Sequence, residues 1–325
     1  MSELRVLSLF SGIGAFEKAL DNIGTDYELV GFSEIDKYAI TSYTAIHNVD
    51  EQLNLGDVSK IKESDLPDAD LITYGFPCQD VSTGGKMRGI KEGTRSGLLY
   101  EAERVIAQVK PKYAIAENVR NLISKRFKDD FNKLLERLDA LGYNNYWQSL
   151  NAKGFGVPQN RNRVFIVSIR KDVDTGDFKF PVEKIDDELS MMEILDRQVD
   201  SKYFFHDREY LYTNKPFAKP TAKLNHVAYF TYPNSDKRHQ SNTFYDPHGL
   251  LPTIDTAGGG NRQPKIMIDG RFRKITPEEC WKAMGFTEED ARIVRELGTS
   301  DTQMYKQAGN SIVVPVLEEI FKNLL

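Results

Sequence analysis

Leu7-Ser8-Leu9-Phe10-Ser11-Gly12-Ile13-Gly14-Ala15-Phe16 reads as the end of a strand, a Gly-x-Gly turn and the start of a helix. Glycines in such a turn let backbone amides approach a ligand, and the helix N-terminus favours its negative group. A dinucleotide fingerprint wants a third glycine where Glu17 stands, so a nicotinamide oxidoreductase loses ground. The alternation continues outward. Strands are predicted at Leu4 to Phe10, Tyr27 to Ser33, Leu71 to Tyr74, Tyr113 to Ala116, Tyr146 to Leu150 and Arg163 to Ile169. Helices are predicted from Ala15, over Lys37 to His47, over Leu98 to Val109, and over Phe127 to Leu141. Such βαβα order predicts an α/β domain, with a mostly parallel sheet covered by helices on both faces.

The pattern breaks after Phe180-Pro181. From there to about Pro264 the chain is rich in Tyr, Phe, His, Asn and Pro with little periodicity, which predicts a small, loop-rich second domain. Regular structure returns at Thr276-Pro277-Glu278-Glu279, where Thr276 is an N-cap, Pro277 the first helical residue and Glu279 the partner of a capping box. Asn310 to Leu324 is apolar at helical spacing and is expected to pack back onto the first domain. The division is therefore 1–185, the α/β domain, then 186–275, the small loop-rich domain, then 276–325, a hinge and returning helix.

The net charge is -5, yet between Lys202 and Lys274 cations outnumber acids, and four of the five histidines fall there. A basic, aromatic-bearing region on an acidic chain fits a surface facing a polyanion, and fits a solvated charged face as well. No apolar run approaches a membrane span, no signal peptide is legible, and no Cys/His cluster has zinc spacing. Two cysteines, Cys78 and Cys280, make no disulfide framework and point to a reducing compartment.

Gly75-Phe76-Pro77-Cys78-Gln79 ends the strand Leu71 to Tyr74, so the Cys78 thiol is expected at the carboxyl end of the sheet, where open α/β sheets bind ligands. The glycine-punctuated, basic stretch from Ser82 to Arg95 has the composition of a lid. A free cysteine is also commonly a small buried hydrophobe, and this stretch alone leaves the two readings level. Glu34 and Asp57 fall where the next strands end, suiting a ribose diol and an adenine amine. The implied ligand is an adenosine without a pyrophosphate, and S-adenosylmethionine fits. Phe10 offers either a ring to its sulfonium or core packing. Glu117 follows the strand Tyr113 to Ala116, where a glutamate can protonate a heterocycle nitrogen. Gln159-Asn160-Arg161-Asn162-Arg163 precedes a strand and places alternate arginines on one side. A lone Glu or Arg at such a site is more often an ordinary ion pair.

Together these pieces resemble the DNA (cytosine-5)-methyltransferase family, in that family's order. Phe10-Ser11-Gly12-Ile13-Gly14 matches the cofactor motif, Pro77-Cys78-Gln79 the nucleophile motif and Glu117-Asn118-Val119 the glutamate motif. Gln159 to Arg163 matches the Gln-x-Arg-x-Arg motif, Arg273 to Cys280 the motif after the recognition region, and Gln307-Ala308-Gly309-Asn310-Ser311-Ile312 the last motif. The length resembles the compact prokaryotic and phage enzymes of restriction-modification type.

The resemblance implies a Rossmann-like S-adenosylmethionine-dependent methyltransferase fold, with a mixed, mostly parallel sheet and a small loop-rich target-recognition domain. It implies Cys78, Glu117, Arg161 and Arg163 as catalytic residues, with Arg163 on O2 of cytosine and Arg161 as its alternative or support. For the cofactor it implies Phe10, Gly12, Gly14, Glu34, Ile35, Asp57, Val58, Gly75, Pro77, Leu98, Asn310, Ser311 and Ile312, the product being S-adenosylhomocysteine. For the flipped-out base and its strand it implies Gln79, Ser82, Arg95, Gln240, Thr253, Gly258 and Gly259, with Gln240 filling the vacated stack. Arg238, His239, Asn242 and Arg262 are candidates for base readout. The expected partner is double-stranded DNA, with no membrane and no metal, for a monomer in the cytoplasm near the nucleoid. Two rivals remain: a tRNA cytosine-5 methyltransferase of the same fold, and a catalytically inactive DNA-binding paralogue. The two-cysteine RNA class is disfavoured because Cys280 falls on a helix expected to be core.

Overall fold

The chain leaves its first strand, β1 (Leu4–Leu9), one residue earlier than the pattern predicts, because Phe10 turns to φ 55. The computed structural model describes residues 3–77, 97–206, 209–231, 237–258 and 262–325. After β1 come α1 (Ala15–Asn22), β2 (Tyr27–Ser33), α2 (Lys37–His47), β3 (Leu71–Tyr74), α3 (Leu98–Val109), β4 (Tyr113–Val119), α4 (Lys128–Ala140) and β5 (Tyr143–Asn151). They are followed by the short β6 (Gln159–Asn160) and by β7 (Asn162–Arg170).

The main sheet has the order β2-β1-β3-β4-β7-β5. Its first four strands run parallel, and β7 lies antiparallel to β4. Both faces are covered, so β1, β3 and β4 carry near-continuous buried runs: Val6 to Leu9, Leu71 to Tyr74, Ala114 to Ala116. Leu99, Val105, Ile106, Leu134 and Leu138 pack from α3 and α4 into this core. Each such fully buried aliphatic side chain contributes roughly 1.5–3 kcal/mol. β4 outruns β3, whose pairing stops at Tyr74 opposite Ala116, while β7 carries β4 on to Val119 opposite Arg163. Glu117 therefore lies within a strand rather than beyond its end, as the sequence pattern had it. The missing signal was the partner strand, which no local periodicity reveals.

The chain groups into two compact units: Met1–Leu150 with Asn162–Pro181 and Leu317–Leu325, and Asn151–Arg161 with Val182–Val316. This differs from the three-part division read from the sequence. Gln159 and Asn160 belong to the second unit, where β6 pairs in parallel with β11 (Leu251–Pro252). The expected loop-rich domain holds a five-stranded sheet of β8 (Tyr210–Tyr212), β9 (His226–Phe230), β10 (Thr243–Tyr245), β12 (Lys265–Ile268) and β13 (Arg271–Lys274), in the order β13-β12-β10-β9-β8. Strands of three to five residues are too short to show a period. What holds them is a cluster of Phe205, Tyr210, Phe230, Phe244 and Phe272, with the Tyr210 and Phe272 rings stacked at 3.8 Å.

α5 (Pro277–Lys282), α6 (Glu288–Glu296), α7 (Asp301–Asn310) and α8 (Val314–Leu324) complete the chain. Thr276 and Glu279 form the capping box the sequence announces. The Glu279 carboxylate also accepts both arms of the fully buried Arg273, at 2.8 Å each. The single helix expected from Asn310 to Leu324 is instead interrupted at 311–313, where Ser311 turns to extended backbone. No helix among the described residues is long and apolar enough to cross a membrane.

Candidate active site

The glycine turn is held from below and from beside. Gly14, at φ 80, is the N-cap of α1, and a Cβ there would stand 2.1 Å from His47 Nε2 and 2.9 Å from the Tyr43 ring. His47 Nε2 lies 3.2 Å from the Ile13 carbonyl. From beside, the Glu34 carboxylate accepts the Gly12 N–H at 2.9 Å and the N–H groups of Ile35 and Asp36 at 2.8 Å each. Asn54 then clips the two acid-bearing loops together. Its amide oxygen accepts the Glu34 and Gly56 N–H groups, and its nitrogen donates to the Glu34 carbonyl. Asp57 caps the turn 58–60 by accepting the Ser59 N–H and hydroxyl, and that hydroxyl bond holds its carboxyl below the usual range. Arg104 donates to the Val58 carbonyl at 3.0 Å. Ile35 is 72% exposed, an apolar side chain standing beside an acid at a sheet end. Phe10, Glu34, Asp57, Gly75, Pro77 and Leu98 are all partly accessible.

At the other end of the sheet's parallel run, β4 and β7 set Glu117 against Arg163. Nε of Arg163 lies 2.9 Å from Glu117 Oε1, with the two side chains 16% and 12% exposed. Arg163 Nη1 also donates to the Asn162 carbonyl. The next residue, Asn118, is buried and donates to the Phe76 carbonyl at 3.0 Å. It thereby fixes the main chain two residues before Cys78. Cys78 itself, Gln79, Ser82 and Arg95 lie outside the described residues, as does Gly259.

The two arginines do not share one strand face. Arg161 falls between β6 and β7 in the second unit, is 3% exposed, and donates to the carbonyls of Ile254, Gly309 and Ser311. Arg163 is the arginine beside the Glu117 carboxylate, whereas Arg161 holds main-chain carbonyls of the second unit. Thr253 Oγ1 donates to the Asn160 carbonyl at 2.7 Å, and the exposed Gln240 reaches the Thr253 carbonyl at 3.5 Å. Ser311 and Ile312 are buried, Asn310 and Gly258 exposed. Asn242 is withdrawn from base readout. It is fully buried and donates to the Phe230 and Lys237 carbonyls while accepting the His239 N–H. Arg238, His239 and Arg262 remain exposed. Sequence reading missed Asn54 and gave Asn118 and Gly309 no role beyond their motifs; all three act through main-chain contacts that no residue type announces. Cys280 is fully buried and burial pushes its thiol well up, so it is core, as expected. No cluster of three or more metal-ligating side chains occurs among the described residues.

The sequence profile of the C-5 cytosine-specific DNA methylase family matches residues 4–325. The chain is similar to the orphan methyltransferase M.SPBetaI of Bacillus phage SPbeta, at 35% identity over all of this chain and 98% of that one. It is similar to the type II methyltransferase M2.ScrFI of Lactococcus lactis subsp. cremoris, at 35% over 99% of each. It is similar as well to the type II methyltransferase M.HhaI of Haemophilus parahaemolyticus, at 30% over 100% and 95%. Among solved structures, the Dnmt2 methyltransferase of S. pombe superposes with a TM-score of 0.69 over 99% and 98% of the two chains. At 20% identity that likeness shows the fold alone, a methyltransferase fold with a mixed, mostly parallel sheet. The chain belongs to the C-5 cytosine-specific DNA methylase family and is a DNA (cytosine-5-)-methyltransferase.

Proposed function

We propose that this enzyme uses S-adenosylmethionine to methylate C5 of a cytosine flipped out of a specific short sequence in duplex DNA, through a covalent bond from Cys78 to C6. The observation that carries the reading is the Glu117–Arg163 pair, one residue from the Asn118 amide that fixes the approach to Cys78. Inside a duplex the target atoms are covered by neighbouring bases, so the nucleotide must leave the stack before any side chain reaches C6.

The residues around the glycine turn fit the cofactor. Phe10 holds a left-handed backbone that a bulky residue adopts only at a cost, and such strain clusters at ligand sites. Glu34 keeps acceptor capacity for a ribose diol beyond the three N–H groups it takes, and the partly exposed Asp57, on the loop that Asn54 clips to it, is left for an adenine amine. Ile35 offers an apolar cover for the adenine face. When bound, the cofactor supplies an electrophilic methyl on a sulfonium.

C5 of cytosine is a poor nucleophile. The Cys78 thiolate forms a bond to C6, and the C5–C6 π pair moves onto C5 and the ring. Glu117 neutralises that charge by giving a proton at N3 and accepting from the exocyclic amine, while Arg163 donates to O2. C5 now carries the density that accepts the methyl. Loss of the C5 proton to water, with return of the N3 proton to Glu117, then restores the C5–C6 double bond and expels the thiolate.

Duplex DNA containing 5-fluorocytosine cannot lose a C5 proton, so it should trap the adduct. The expected result is a denaturant-resistant complex with the native chain and none with Cys78→Ser. No complex with the native chain, or equal trapping by Cys78→Ser, would overturn the mechanism. Labelled methyl appearing in tRNA and not in duplex DNA would overturn the substrate. Bisulfite sequencing of DNA from expressing cells reads the target sequence directly.

A further inference from the structure

Two segments far apart in sequence meet around Arg161. Its Nη1 donates to the Ile254 carbonyl at 2.8 Å, and its Nη2 to the Gly309 and Ser311 carbonyls at 3.2 and 2.7 Å. Gln159 accepts the Ile254 N–H at 3.1 Å and donates to the Ala283 carbonyl at 2.8 Å. At Gly309 the main chain passes so close to Asp255 that an added Cβ would stand 2.2 Å from its carbonyl oxygen and 2.5 Å from the Thr256 nitrogen. The stretch from Thr253 to Thr256 and the stretch from Gly309 to Ser311 thus share one hydrogen-bonded frame. A buried guanidinium cannot give up a carbonyl without leaving charge poorly satisfied, so movement of one stretch is transmitted to the other. Beyond Ile254 the chain is tensioned. Ala257 sits at φ 51, and the Asp255 carboxylate accepts its N–H at 2.8 Å.

We propose that Arg161 is a positioning residue that couples occupancy of the cofactor stretch Asn310 to Ile312 to placement of the target stretch Thr253 to Gly258, so that cofactor and target duplex tighten each other's binding. The inference rests on the proposed function and on the roles of those two stretches that the family resemblance implies. By linkage, each ligand must change the other's affinity by the same factor.

The test uses the full chain, a labelled duplex carrying the sequence identified by bisulfite sequencing, and S-adenosylhomocysteine as second ligand. In the native protein S-adenosylhomocysteine should tighten duplex binding at least about 5-fold, and the duplex should tighten S-adenosylhomocysteine binding equally. In Arg161→Met the factor should fall to near one, while affinity for S-adenosylhomocysteine alone changes less than the factor does. Arg161→Lys should retain part of it, since an ammonium does not fork across both stretches. Gly309→Ala, which pushes the Asp255 backbone away without removing a charge, should lower the factor too, and it decides the matter if Arg161→Met does not fold. A factor of one in the native protein overturns the proposal. So does a native factor in folded Arg161→Met or Gly309→Ala, or loss of both affinities at an unchanged ratio. Failure of the native chain to methylate duplex DNA would instead strike the functional reading, whatever the ratio.

Discussion

Glu117 and Arg163 meet at 2.9 Å with both side chains mostly buried, so the pair is already oriented before any base arrives. Glu117→Gln keeps the size and a hydrogen bond to Arg163 but cannot deliver a proton at N3. Single-turnover methylation should fall by about 10²-fold or more, with duplex affinity changed far less. A rate within a few-fold of native would remove Glu117 from the proton path. Lys265 makes a different kind of test. It is fully buried at the start of β12, donates to the Gln263 carbonyl, and burial lowers its ammonium to about 7, with the charge of Lys274 adding to this and Asp255 opposing it. Between that value and the ordinary lysine range, the unfolded chain holds the proton and the folded chain does not. Stability should therefore rise as pH is raised from about 7, by up to about 1.4 kcal/mol per unit from this residue. Urea unfolding at about pH 7 and 9 measures the rise, and Lys265→Met should flatten it.

At the scale of elements, the turn between β1 and α1 depends on one missing methyl group. Gly14→Ala brings a Cβ onto His47 Nε2 at a backbone angle that alanine resists, which should cost about 2–3 kcal/mol and weaken cofactor binding by at least about 10-fold. Calorimetry with S-adenosylhomocysteine and a melting curve read both. This turn was legible in the sequence because its constraint is local: two glycines between a strand and a helix. So was the cap at Thr276, whose partner stands three residues on. The extension of β4 to Val119 was not, because β7 supplies it from more than forty residues away, as Val119 opposite Arg163. The aromatic sheet of the second unit escaped for the same reason. Phe205, Phe230, Phe244 and Phe272 are spaced by neither period, and only folding brings them together. The alternation of Arg161 and Arg163 suggests a shared side, but Arg161 donates to carbonyls of the second unit while Arg163 pairs with Glu117 from within β7.

For the whole molecule, charge is the quantity to follow. The stretch from Lys202 to Lys274 is basic on a chain of net charge -5. Lys265 and Arg273 are buried, so the surface is less basic than the sequence suggests, yet Lys215, Lys219, Lys223, Lys237, Arg238, Arg262 and Arg271 are exposed. Duplex affinity should fall at least about 10-fold between roughly 50 and 200 mM salt despite the acidic average. A flat salt dependence by fluorescence anisotropy would exclude this surface as the one meeting phosphate. The frame around Arg161 has a consequence for how such a molecule changes over generations. Arg161 grips main-chain oxygens at Ile254, Gly309 and Ser311. Side chains between Asp255 and Gly258 can therefore be exchanged while the backbone that presents them is inherited intact, so that, if this stretch reads the target as proposed, a new preference demands new side chains and no new scaffold.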